Sequence, residues 1–205
     1  MTTSSSAPPA DRAVGAERIR DGASLLVDCL AAAGIEVVFG VPGDTGVDLY
    51  DAFFRQDEIR HVLARDERHA AAMADAYARC TNTVGVVEVS SGGGATFCIG
   101  GLGEAFAASV PVLVISSDIH SGSRGSRALT EIDQPQLFAA VTKWQRRVDS
   151  ADEIPQAVQE AFHVATTGRP APVALIVPED VFGQRTSAVA RSITAAVPAV
   201  RDAAP

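Results

Sequence analysis

The chain has 205 residues, with 25 acidic against 17 basic side chains, a net charge of −8, 47% hydrophobic residues and 20% charged ones. This is the make-up of a globular domain able to bury a core without disulfide or metal staples. The acidic balance excludes a nucleic-acid backbone or an anionic membrane as main partner, since both reward clustered Lys and Arg.

Residues 1–16, rich in Ser, Thr, Pro and Ala, read as a disordered tail. They lack the basic start and apolar run of a signal peptide or membrane anchor. From Arg18 to Ala33 the apolar residues Ala23, Leu26, Val27 and Leu30 recur at helical spacing, and Gly34 stops the helix. Ile35–Phe39 predicts a buried strand, broken by Gly40-Val41-Pro42-Gly43, and Val47–Phe54 a short helix. Arg60–Ala64 predicts a strand, Glu67–Arg79 an Ala-rich helix, and Thr83–Val89 another strand. The glycine turn Ser91–Gly94 opens a helix over Ala95–Ala108, and Pro111–Ser116 is an apolar strand. A long polar loop covers Ser117–Ile132, then Gln134–Val141 predicts a helix and Lys143–Val148 a strand. Ser150 and Glu153 stand at capping-box spacing, with Pro155 in the first turn of a helix running to Ala165. Val173–Val177 is the last apolar strand. Apolar strands alternating with helices imply an α/β fold: a parallel sheet with helices on both faces. One domain over 17–183 is expected, followed by a C-terminal extension over 184–205.

Cys29, Cys80 and Cys98 are odd in number, far apart and without metal-ligand spacing. They read as small buried hydrophobes in a reducing, cytoplasmic setting. His61, His69, His120 and His163 form no ligand cluster in the sequence, and no nucleophile elbow occurs.

Ligands of such sheets bind at the carboxyl ends of the strands. Three stretches fall there: Gly40–Gly43, Asp66-Glu67 and Ser90–Gly94. The glycine turn is either a tight strand-to-helix connection or a place where a planar or anionic ligand meets bare backbone. It is neither a dinucleotide fingerprint nor a P-loop. Glu67, at a helix start, either complements the helix dipole or serves a ligand.

Taken together, Gly40-Val41-Pro42-Gly43, the run Ala64-Arg65-Asp66-Glu67-Arg68-His69 into its Ala-rich helix, Ser90-Ser91-Gly92-Gly93-Gly94-Ala95-Thr96, and Gly168-Arg169-Pro170-Ala171-Pro172-Val173 resemble a known family. The resemblance is to the N-terminal pyrimidine-binding domain of thiamine-diphosphate enzymes, closest to acetolactate synthase and its decarboxylase relatives. It covers Ile19 to Gly183. It implies that Glu67 hydrogen-bonds N1′ of the cofactor's aminopyrimidine and favours the tautomer that deprotonates the thiazolium. It also places Pro42, Gly43, Ser91, Gly92, Gly93, Gly94 and Phe97 against the cofactor, and Val41, Leu129 and Thr130 toward the substrate. Five positions depart from the pattern. Arg68 stands for a common Gln, Gly93 for Pro, Phe97 for Asn, and Leu129-Thr130 for the Phe-Gln of synthases.

The resemblance further implies a second α/β domain that holds the diphosphate through Mg2+. Its Gly-Asp-Gly signature does not occur in these residues, and no metal ligand is assigned to them. The expectation is one subunit of a split enzyme, a heterotetramer decarboxylating a 2-oxo acid with or without acyl transfer, and inactive alone. The alternative is a homologue that kept the fold without the reaction. The helix after Glu67 carries Ala71, Ala74 and Ala78 on one side. That stripe suits close approach of another backbone, from a partner subunit or from the domain's own core.

Overall fold

The computed structural model describes residues 20–193. The expected tail over 1–16 and the last part of the expected extension lie outside the described residues. In chain order the elements are β1 (Arg20–Asp21), α1 (Gly22–Ala32), β2 (Val37–Gly40), α2 (Val47–Phe54), β3 (Arg60–Leu63), α3 (Glu67–Thr81), β4 (Gly85–Val89), α4 (Gly93–Ala107), β5 (Val112–Asp118), α5 (Gln134–Ala139), β6 (Gln145–Arg147), α6 (Ile154–Thr166), β7 (Val173–Pro178), α7 (Glu179–Gly183) and β8 (Arg185–Thr186). Six strands form one sheet in the order β3-β2-β4-β5-β7-β6, every pair parallel. The α/β expectation, with helices on both faces of a parallel sheet, holds.

The core lies in two layers because the central strands are apolar on both sides. On one face, Leu25, Leu26 and Leu30 of α1 and Ile154 and Phe162 of α6 pack on Leu113, Ile115 and Leu175. On the other, Ala70, Ala71 and Ala74 of α3 and Cys98 and Leu102 of α4 pack on Val87, Val89 and Val114. The small stripe of α3 is therefore spent inside the domain. A Cβ at Gly101 of α4 would sit 2.7 Å from that of Ala71, and one at Gly85 would collide with the Ala74 carbonyl.

Several elements differ from expectation for identifiable reasons. α1 begins at Gly22, not Arg18, because the Asp21 carboxylate caps it, accepting from the Ser24 N–H at 2.7 Å. Arg20 and Asp21 pair antiparallel with Thr186 and Arg185 as a two-stranded ribbon. Ala188, Ala190 and Ile193 pack against the core beyond it. β5 runs two residues past Ser116 because its polar end is satisfied while buried. Gln134 Nε2 donates to the Ser117 carbonyl at 3.0 Å and to Asp118 Oδ1 at 2.9 Å. Ser150 caps a 3-10 turn through the Asp152 N–H at 3.3 Å, while Glu153 turns to Arg146 at 3.2 Å, so the capping box is not reciprocal. Cys29 and Cys98 are buried as expected, but Cys80, on the outer side of α3, is exposed.

Candidate cofactor site

The chain passes from β2 outward to β3, then returns to place β4 on the other side of β2. That reversal opens a crevice at the carboxyl ends of β2 and β4, where ligands of open parallel sheets bind. Residues 41–43, the turn into Glu67 and the turn over 90–92 all reach the crevice.

Two glycines and a serine shape its floor. A Cβ at Gly43 would run into the Ser90 side chain. One at Gly94 would lie 2.7 Å from Ser90 Oγ and 3.3 Å from Glu67 Oε1. The Glu67 carboxylate thus lies against the first turn of α4. Beneath it is Cys98, fully buried, its thiol pushed up to about 12 by burial, with the Glu67 charge adding to the effect.

Glu67 occupies the first turn of α3 because Asp66 is an extended N-cap whose Oδ1 accepts from the Arg68 N–H at 2.9 Å. The Arg68 guanidinium also turns back to Asp66, with Nε on Oδ1 at 2.8 Å and a terminal nitrogen on Oδ2 at 2.7 Å. These bonds hold the Asp66 carboxyl well below the usual carboxylate range. Arg68 further lies over the Phe97 ring, 5.8 Å from its centroid. The neighbouring cation is therefore already engaged, and among the described residues Glu67 enters no ion pair.

The opposite rim is the loop before Ile132. Its Glu131 carboxylate accepts from the N–H groups of Gly125 and Ala128, bonds that lower its pKa and brace the loop. Thr130 is held at φ 66°, a costly backbone for a β-branched residue. There it receives the Ser91 hydroxyl, which donates to Thr130 Oγ1 at 2.7 Å. Gly92, at φ 68°, lies directly below: a Cβ would come 2.7 Å from that of Thr130. Only glycine meets both the dihedral and the space.

Of the expected site residues, the fold brings Gly43, Glu67, Ser91, Gly92 and Gly94 together. Val41 is half-buried and Pro42 exposed in the same crevice loop. Gly93 and Phe97 face outward, Phe97 being 52% exposed. Leu129 is 82% exposed, whereas Thr130 is turned in on the glycine turn. The sequence reading set Ser90 in a candidate stretch but gave no role to its hydroxyl, which is common to Gly43 and Gly94, and it missed Thr45, whose Oγ1 accepts the Ser91 N–H at 3.2 Å. Both depend on β2 and β4 lying side by side, which no local pattern reveals. Among the described residues no group of three or more His, Cys, Asp or Glu could hold a metal, and no helix is long and apolar enough to cross a membrane.

Chemically, the arrangement offers a carboxylate without an ion-pair partner among the described residues, set against the glycine-rich first turn of α4. Such a group can share a proton with a ring nitrogen of a planar ligand.

The family model described as "Thiamine pyrophosphate enzyme, N-terminal TPP binding domain" matches residues 20–137. The acetolactate synthase large subunit of Haemophilus influenzae is 43% identical over 159 residues, 78% of this chain and 28% of that protein. The large subunit of Lactococcus lactis is 39% identical over 165 residues, 80% of this chain and 29% of that one. The acetolactate synthase isozyme 3 large subunit of Escherichia coli is 40% identical over 161 residues, 78% and 28%. The chain thus matches less than a third of the length of these relatives.

Proposed function

Since the chain belongs to the thiamine pyrophosphate enzymes, through their N-terminal TPP-binding domain, we propose that it is the pyrimidine half of an enzyme that decarboxylates a 2-oxo acid, with transfer of the acyl unit to a second carbonyl as in an acetolactate synthase. The supporting observation is the unpaired Glu67 carboxylate across Gly94 from the glycine turn.

The residues fit the cofactor's ring. Gly43 and Gly94 let the loop after β2 and the first turn of α4 close on Ser90 and Glu67, and Gly92 lets the turn pass against Thr130, so that backbone rather than side chains borders the ring's place. Pro42, Gly43, Gly92 and Gly94 would hold the ring, with Ser91 acting through Thr130, while the outward-facing Gly93 and Phe97 would not touch it. When bound, thiamine diphosphate supplies the electron sink that lets a 2-oxo acid lose carbon dioxide. Glu67 would share a proton with a nitrogen of the pyrimidine, with the buried Cys98 at its back. Val41, Leu129 and Thr130 would border the substrate.

The diphosphate and its Mg2+ fall to a second α/β domain, which we place on a separate subunit in a heterotetramer. Co-purification with that subunit, thiamine diphosphate and Mg2+, followed by a panel of 2-oxo acids, tests the assembly. Finding the diphosphate domain on the same polypeptide overturns it. Glu67→Gln in the assembled enzyme should keep the fold and lose about 10²–10⁴-fold in kcat. Undiminished turnover in that variant refutes the role of Glu67.

A further inference from the structure

β4 is apolar except at one position. Glu88 is 1% exposed and stands in register with Gly40 of β2 and Ile115 of β5. A Cβ at Gly40 would collide with the Glu88 carboxyl, so the glycine is the space that carboxyl occupies. From β3, His61 brings Nε2 to 3.5 Å from Glu88 Oε1. Tyr50 of α2 sets its ring edge-on to His61, centroids 5.1 Å apart at 78°. Phe53 packs on the same imidazole at 5.6 Å. Glu88 Oε1, His61 Nε2 and the Tyr50 hydroxyl are all buried and lack a hydrogen-bond partner.

Orphaned polar atoms on touching side chains are costly unless they serve one another. Burial pushes Glu88 well above the usual carboxylate range, with no charged neighbour acting on it, and burial also lowers His61. Both directions favour the uncharged forms. An un-ionised carboxyl has a proton to give, a neutral imidazole has a lone pair to take it, and a small rotation closes 3.5 Å to bonding distance. The pair lies beneath Gly40, the residue from which the Val41–Gly43 loop departs. That loop meets Ser90, two residues beyond Glu88, at Gly43.

We propose that Glu88 is a positioning residue: as a neutral acid it donates to His61 Nε2, and this bond fixes the base of the Val41–Gly43 loop against the end of β4. The benefit to a cofactor rests on the function proposed above, whereas the bond itself does not. The groups facing Glu88 are His61 and, through it, Tyr50; β2 and β5 offer Gly40 and Ile115.

The proton count gives the pair a distinct signature. In the unfolded chain, Glu titrates near 4.5 and His near 6.5, while burial in the fold moves the first up and the second down, so that the pair keeps one proton on either side of those two values. Between these values folded and unfolded chains both hold one proton, and the pair adds no pH dependence. Above 6.5 the unfolded chain holds none, so stability falls as pH rises. Below 4.5 it holds two, so stability falls again as pH drops.

The test uses the full chain without cofactor. In Glu88→Gln, which keeps a donor to His61, the folding constant should gain about tenfold per pH unit relative to wild type above neutrality. Amide exchange at Val41 and Gly43 should be unchanged in that variant and at least about tenfold faster in Glu88→Leu, because a lost buried hydrogen bond costs of that order. In the wild type, nitrogen NMR should find His61 neutral, with its proton on Nδ1, down to pH 5. A His61 imidazolium there, parallel pH profiles for wild type and Glu88→Gln, or unaltered loop exchange in Glu88→Leu would each overturn the proposal.

Discussion

Glu67 keeps a free carboxylate although the next residue is an arginine. Asp66 and Phe97 explain this together, one binding the guanidinium edge and the other its face. Removing the restraint has a definite consequence. Asp66→Ala frees Arg68 to pair with Glu67, and a carboxylate held by a guanidinium is drawn away from a ring nitrogen. The assembled enzyme should then lose about tenfold or more in kcat, and Asp66→Ala/Arg68→Ala should recover most of it. A double variant no better than the single one rules this mechanism out. The glycine turn can be dissected in the same way. Gly93 begins α4, where proline is well accommodated, and a Cβ there meets only Phe97 at 3.9 Å. Gly93→Pro should raise stability by about 0.4–1 kcal/mol in urea unfolding, while Gly94→Ala, pressed on Ser90 and Glu67, should weaken cofactor binding with little change in fold.

Adjacent glycines in one helix can have opposite roles, and α4 supplies such a pair. A Cβ at Gly100 meets nothing within 4 Å, while one at Gly101 strikes Ala71 of α3. Gly100→Ala should stabilise by about 0.5–1 kcal/mol through helix propensity. Gly101→Ala should destabilise by about 1–3 kcal/mol by forcing the helices apart. Equal unfolding midpoints for the two variants would contradict the close packing of α3 on α4. This scale also shows what could be read without coordinates. α3 was legible because its small apolar residues repeat at helical spacing, and β7 because it is uninterrupted apolar sequence. β1 and β8 were not, since Arg-Asp and Arg-Thr carry no period and pair only through tertiary contact. The end of β5 was missed because Ser117 and Asp118 look like loop residues until Gln134 arrives to satisfy them. Glu67 and the glycine turn were legible through motif order, but Ser90 and Glu88 gain meaning only once β2 and β4 are neighbours.

The two buried cysteines lie on opposite sides of the sheet, Cys29 with α1 and α6, Cys98 with α3 and α4. Burial pushes each thiol up to about 12. A thiol reagent should therefore label only Cys80 in the native protein. In denaturant, Cys29 and Cys98 should become reactive together if the two layers unfold as one unit; separate labelling midpoints would show independent layers. The ribbon of Arg20–Asp21 with Arg185–Thr186 ties entry to exit at a single edge. Such a closed loop of chain behaves as a cassette. Its ends could be bridged by a brief linker and reopened within the exposed 121–127 segment to give a circular permutant, or the whole unit spliced into a host polypeptide, without parting a strand of the central sheet.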